Sequence, residues 1–150
     1  MKSPYERATT VPLELVFEAM AKGYRAAKFP GAKGVNLGGK RLNTFFTKGT
    51  TCACCGLEAS FFAVERTKGQ ESPKFHLNLY GVRANGKEVI FTHDHILARS
   101  LGGKDVHENM RTMCGPCNWE KGRKEAAIGD KFRAGKITDE EFKQLIAELG

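Results

Sequence analysis

The 150-residue chain has no apolar run near the roughly 20 residues that cross a membrane, which argues against a spanning helix. No apolar core of a signal peptide follows its first residues, Met1 to Arg7, so a cytoplasmic location is expected, in a host cell if the gene is carried by a phage. Internal repeats are absent, and the one biased tract is a Gly/Lys-rich loop, so the length suggests a single domain. A dispersed, even set of cysteines is also missing. The five present are Cys52, Cys54, Cys55, Cys114 and Cys117, and odd, clustered thiols argue against the disulfide framework of a small secreted protein.

Hydrophobic residues make up 41% of the chain and charged residues 27%, which is ordinary for a globular protein with a buried core. The formal net charge is +7, and the excess is uneven. Residues 1–50 hold nine Lys/Arg against three Asp/Glu, whereas residues 101–150 hold nine of each. A basic front end suggests a polyanionic partner, most simply nucleic acid, although generic solubility explains such a charge equally well.

Two Cys-x-x-Cys pairs, Cys52/Cys55 and Cys114/Cys117, suit one tetrahedral zinc held by four thiolates; redox-active or buried free thiols are the alternatives. The 58 residues between the pairs must form an insertion that brings the two together. Cys54 is the spare, since neither one-residue spacing from Cys52 nor adjacency to Cys55 makes it a good partner.

Along the chain, helical spacing of Leu13, Val16, Phe17, Met20, Tyr24 and Ala27 predicts a helix over residues 12–29, stopped by Pro30. Residues 31–41 form a glycine-rich basic loop. Gly34 to Lys40 formally match a phosphate-binding G-x-x-x-x-G-K, but Arg41 stands where a magnesium-binding hydroxyl belongs, so that reading fails. An arm lying on phosphates through Lys33, Lys40 and Arg41 is one reading, and a disordered linker is the other. Strands are predicted at residues 60–65 and 74–82. Asn85-Gly86 is a hairpin turn, and the return strand over residues 88–92 runs into His93. A helix begins near Pro116, with Ile128 and Phe132 continuing its apolar face. The last helix opens on a capping box, Thr138 with Glu141, and its stripe of Phe142, Leu145, Ile146 and Leu149 serves packing or a homodimer.

Residues 92–122 concentrate a His-Asp-His triplet, glycines, two asparagines, a Cys-x-x-Cys pair and a basic tail. Asp94 is a hard oxygen ligand for a cation such as magnesium, and the imidazole of His95 is suited to proton transfer near neutrality. On an extended strand the two project to opposite faces, which opposes a single flat site unless the strand ends or bends there. Asp94-His95-Ile96, Ser100-x-Gly102-Gly103-x-Asp105, Asn109-Met110 and Cys114-x-x-Cys117-Asn118-x-x-Lys121-Gly122 resemble the HNH endonuclease family, joined by the upstream Cys52-x-x-Cys55-Gly56 of its zinc-bearing members. The family's third motif letter is asparagine here, Asn118, where other members carry histidine.

The resemblance implies an α+β fold with a ββα-metal core, a four-Cys zinc site, an inserted β-hairpin and flanking N- and C-terminal helices. It also implies His95 as general base, Asn109 as its support, and Asp94 with Asn118 on a catalytic magnesium or manganese ion. His93 is a candidate third ligand or phosphate contact. Arg99, Lys121 and Arg123 are further candidate DNA contacts. The expected layout is an N-terminal helix and basic arm over 1–44, a zinc-stapled nuclease domain over 45–127, and a helical tail over 128–150. The expected function is metal-dependent hydrolysis of DNA phosphodiesters, with nicking by a monomer and double-strand cleavage through a homodimer. Two other readings are a non-catalytic zinc-dependent DNA-binding protein and an endonuclease for branched DNA, since the stretch also resembles phage junction-resolving enzymes. Small free-standing members of the family are often encoded by phages or mobile elements.

Overall fold

In a computed structural model that describes residues 3–70 and 74–149, alternating apolar residues build one five-stranded antiparallel sheet. Its strands are β1 (Tyr5–Val11), β4 (Ala59–Thr67), β5 (His76–Val82), β6 (Glu88–His95) and β7 (Met110–Cys114), in the spatial order β1-β4-β5-β6-β7. Phe62 lies opposite Leu79, and Val64 opposite Leu77. These four join Val89 and Phe91 of β6 in the buried core. The helix α1 (Leu13–Ala21) and the helix α2 (Lys40–Lys48) contribute Val16, Phe17, Leu42 and Phe45 to it, with Phe17 and Phe45 meeting the ring of Phe62. The short hairpin β2 (Ala26–Phe29) and β3 (Ala32–Asn36) forms a second, two-stranded sheet.

The architecture is mixed α+β, and its N-terminal third differs from the expected helix and arm. The helix ends at Ala21 because Gly23 takes φ +87°, a left-handed conformation that glycine adopts without a Cβ clash. Gly23 N–H donates to Met20 O at 2.9 Å and Tyr24 N–H to Ala19 O at 3.1 Å, the paired bonds of a Schellman cap. The chain then turns into β2. Residues 31–41 are neither free arm nor linker: Ala32–Asn36 pair as a strand and Lys40 begins α2. Leu42, Phe45 and Phe46 recur at helical spacing, and α2 stops at Gly49, again at positive φ. β1, for which no element was expected, pairs residues 5–11 with β4 and so ties the N-terminal segment into the main sheet.

The C-terminal half follows its patterning closely. β5 and β6 are joined across the Asn85-Gly86 turn, with Val82 opposite Glu88. The helix α3 (Gly115–Arg133) has Pro116 in its first turn and continues through residue 128 without interruption. Thr138 and Glu141 exchange side-chain and backbone bonds of 3.0 and 3.1 Å at the start of the helix α4 (Asp139–Leu149). Phe142 of α4 stacks on Phe132 of α3 at 4.5 Å, so part of the predicted stripe packs within the chain. No described helix is long and apolar enough to cross a membrane.

One buried charge organises the centre of the sheet. Glu65, 1% exposed, accepts Arg7 Nε at 2.8 Å, Asn78 Nδ2 at 2.8 Å and Tyr80 Oη at 2.6 Å. Burial pushes its carboxyl upward, but these donors outweigh that and hold it below its ordinary range. Removing one partner of such a group strands the others in a dry interior. Glu65→Ala is therefore expected to lower unfolding free energy by about 3 kcal/mol in urea denaturation. Glu6→Ala, which breaks only an exposed, solvent-screened pair with Arg66, should leave the denaturation midpoint nearly unchanged.

Candidate metal centres and the cleft at the end of the sheet

The two cysteine pairs meet. The Sγ atoms of Cys52, Cys55, Cys114 and Cys117 all lie within 4.8 Å of one another. Tetrahedral zinc with sulfur at about 2.3 Å requires sulfurs about 3.8 Å apart. The 3.9 Å between Cys55 and Cys114 matches that spacing and is far longer than a disulfide. Backbone N–H groups of Cys55 and Cys114 point at Cys52 Sγ, at 3.5 and 3.3 Å. Burial pushes the Cys52 thiol up, but these donors together bring it down to about 6, while burial and neighbouring sulfur push Cys117 far up. Four such thiols share one small volume as anions only beside a cation. The residues therefore fit a structural metal such as zinc, and Cys54 is exposed and outside the group.

The cluster fixes the neighbouring backbone. Ala53 N–H donates to Thr112 O at 3.0 Å, and the Thr112 hydroxyl donates to Gly49 O at 2.6 Å. Cys114 ends β7 and caps α3, so the position of the sulfurs sets where α3 starts.

β6 runs through to His95, which pairs with Met110 of β7. Strand alternation therefore separates Thr92 and Asp94 from His93 and His95. On the side of α3, Asn118 Nδ2 donates to Thr92 Oγ1 at 2.7 Å, and Asn118 Oδ1 has no hydrogen-bond partner among the described residues. Asp94, 5% exposed, accepts Arg111 Nε at 3.0 Å and lies 3.4 Å from Lys121 Nζ. Lys121 is itself buried, and also reaches His95 O at 3.0 Å and Glu125 at 3.2 Å. The Glu125 oxygen in that ion pair, Oε2, is buried and accepts no hydrogen bond from the described residues.

On the side of α2, His95 Nε2 lies 3.1 Å from Asp105 Oδ1, and Asp105 Oδ2 pairs with Lys40 Nζ. Lys40 first, and His95 second, hold the Asp105 carboxyl down at about 2. The His93 ring lies 5.9 Å from that of His95, with its Nδ1 buried and unpartnered, and burial followed by the nearby His95 lowers its pKa. Asn109 ties the intervening loop: Leu97 N–H donates to its Oδ1 at 2.9 Å, and its Nδ2 donates to Leu97 O at 3.0 Å and Lys104 O at 2.8 Å. Gly103 is obligatory in that loop, because a Cβ there would sit 1.8 Å from Leu97 O.

Because β6 ends here, its two faces open onto one cleft of about 310 Å³, lined by His93, Asp94 and His95, by Arg99 and Ser100 at the rim, and by Asn118 and Glu125 of α3. The other basic candidates are dispersed. Lys33 lines a separate cavity of about 600 Å³ with Lys28, Arg66 and Lys74. Arg41 is largely buried, donating to Leu77 O and Asn78 Oδ1 at 3.0 Å, and that burial lowers its pKa. The Lys121 ammonium faces Asp94 and Glu125 rather than solvent. Arg123 is exposed, 5.1 Å above the ring of Trp119, which is itself 65% exposed. Sequence reasoning passed over Arg111, Glu125 and Asp105. A signal existed for Glu125, since it stands four residues after Lys121 and seven after Asn118 on one helical face. Asp105 was visible in the motif, without a role.

Cys52→Ser is expected to abolish the one zinc per chain measured by atomic emission and to lower the thermal midpoint sharply, whereas Cys54→Ser keeps both. Equal zinc in the two variants contradicts the four-sulfur assignment.

A family model described as HNH endonuclease matches residues 84–132, which span the second strand of the β5–β6 hairpin, the cleft, β7 and nearly all of α3. No curated protein and no solved structure matches the chain. The upstream cysteines lie outside the matched residues, but Asp94, His95, Asn109 and Asn118 lie within them, so the likeness to the HNH endonuclease family covers the cleft and not the whole sulfur cluster.

Proposed function

We propose that the chain is a metal-dependent DNA endonuclease whose β6, β7 and α3 form a ββα-metal core. The observation that carries this reading is the convergence of Asp94, Asn118 and His95 on one cleft, although strand alternation sends Asp94 and His95 to opposite faces. Phosphodiester hydrolysis needs a deprotonated water and neutralisation of developing charge on phosphate oxygens. The buried Asp94 carboxylate and the unpartnered Asn118 Oδ1 are hard oxygen donors. They suit magnesium or manganese, which keep several waters and take few protein ligands. Such an ion, when bound, supplies Lewis-acid stabilisation of the phosphate and its leaving oxygen.

The protein groups do the rest. His95 takes the proton of the attacking water, and an imidazole in this role contributes about 100- to 10,000-fold. Asn109 holds the loop that follows His95, so that the ring keeps its place at the end of β6. Arg111 and Lys121 fix the Asp94 carboxylate and offset its charge. Arg99 at the rim and Arg123 on the exposed face of α3 are available to phosphates, and the Lys28, Lys33 and Lys74 cavity extends the basic surface away from the cleft. The four-sulfur site has no open position and serves the fold.

Supercoiled plasmid with magnesium or manganese tests the proposal. Wild-type protein should nick it, and His95→Ala should lower the rate by about 100- to 10,000-fold. Asp94→Ala should abolish the response to added cation. Plasmid left supercoiled by wild type, or cut equally by His95→Ala, rejects this function and leaves the zinc-dependent DNA-binding reading, for which a gel shift unaffected by either substitution is the signature.

A further inference from the structure

The two charged residues on the far side of His95, Asp105 and Lys40, are unused by the mechanism above, yet they are built against its ring. Asp105 lies on the loop between β6 and β7, and its backbone is restrained on both sides. Before it, Gly103 N–H donates to Ala98 O at 2.9 Å and the Lys104 carbonyl accepts Asn109 Nδ2 at 2.8 Å. After it, the 3-10 turn His107–Asn109 leads into β7. Its carboxylate bridges two elements, with one oxygen on Lys40 Nζ at the first position of α2 and the other 3.1 Å from His95 Nε2. Lys40 is outside residues 84–132, so the contact joins the N-terminal segment to the surroundings of His95.

A carboxylate only accepts hydrogen bonds, so the ring nitrogen facing it must carry the proton. A neutral imidazole has one such proton. With it on Nε2, the lone pair of Nδ1 is left to accept a proton from water, and Nδ1 has no hydrogen-bond partner among the described residues. We propose that Asp105, held by Lys40, is a positioning residue that fixes the orientation and tautomer of His95 so that Nδ1 is the atom that takes the proton. This rests on the nuclease reading and assigns a tautomer and a supporting pair to its base. Lys40 acts one step further out, orienting the carboxylate across the gap between α2 and the loop. Neither residue touches the scissile group.

Single-turnover nicking of supercoiled plasmid in magnesium, at saturating protein, separates this role from a structural one. Asp105→Asn retains size but has an amide that donates as well as accepts, and should lower the maximal rate about 10- to 100-fold while the protein concentration for half-maximal rate changes less than about threefold. Asp105→Glu should recover part of the loss, and Lys40→Met should show a smaller fall of the same kind. In a His95→Ala background, Asp105→Asn should have no further effect on the residual rate. Wild-type rate in Asp105→Asn, or a faster one, overturns the proposal, the latter marking the contact as a block on the ring. An equal fall with and without His95 also overturns it, because the residue then acts through the fold. If Asp105→Asn does not fold by thermal melting, Lys40→Met decides by the same criteria. Wild-type protein that leaves plasmid intact rejects the nuclease reading itself, whereas active wild type with fully active Asp105→Asn rejects only the positioning pair.

Discussion

The junction of four sulfurs between residues 52–55 and 114–117 is the constraint on which the rest of the cleft depends. It joins segments about 60 residues apart at the point where β7 becomes α3. Domains of this size are stable by only about 5–15 kcal/mol, and structural zinc binding in small peptides contributes free energy of the same order. A metal at this junction would therefore hold the start of α3 against the end of β7. Asn118, next to Cys117 in the first turn of α3, reaches Thr92 from a helix start that carries two of the four sulfurs. Two N–H groups aimed at Cys52 show that the backbone is arranged for a thiolate even before a cation is considered.

The end of β6 turns a property of strands into a division of labour. Alternation sends Asp94 toward α3 and His95 toward α2. Each is then met by a separate set of charges: Arg111, Lys121 and Glu125 around Asp94, and Asp105 with Lys40 beside His95. The oxygen donors and the imidazole thus keep different electrostatic surroundings although they open onto the same small cleft. A site built on one face of a strand would place the groups at i and i+2, with both inside one network. Here adjacent residues suffice because the strand stops.

Much of this was legible from residue types and spacing. Paired cysteines announced the sulfur cluster, Asn85-Gly86 the hairpin, and Thr138 with Glu141 the cap of α4, because each is a local device with its own chemistry. The misread helix at residues 12–29 shows the limit of periodicity. Tyr24 and Ala27 keep the helical spacing by coincidence, while Gly23 ends the helix through its left-handed conformation. β1 was missed because its side chains are mostly exposed and mark no apolar face. Charge alone also gave no warning of burial. Lys121 and Arg41 read as phosphate contacts in the sequence, but their partners, Asp94, Glu125, Asn78 and the Leu77 carbonyl, are set by tertiary packing. Asp105 lay ten residues from His95, and only the folded loop brings them together.

The central claim is that two metal sites do two different jobs: sulfur holds the fold, and oxygen donors at the end of β6 hold the reacting cation. Anomalous diffraction from crystals grown with manganese, recorded at the zinc and manganese edges, measures this directly. The account predicts a zinc peak among Cys52, Cys55, Cys114 and Cys117, and a separate manganese peak within about 2.5 Å of Asp94 and Asn118 oxygens. Manganese among the sulfurs, or a manganese site away from Asp94 with that carboxylate still closed on Arg111 and Lys121, would contradict it.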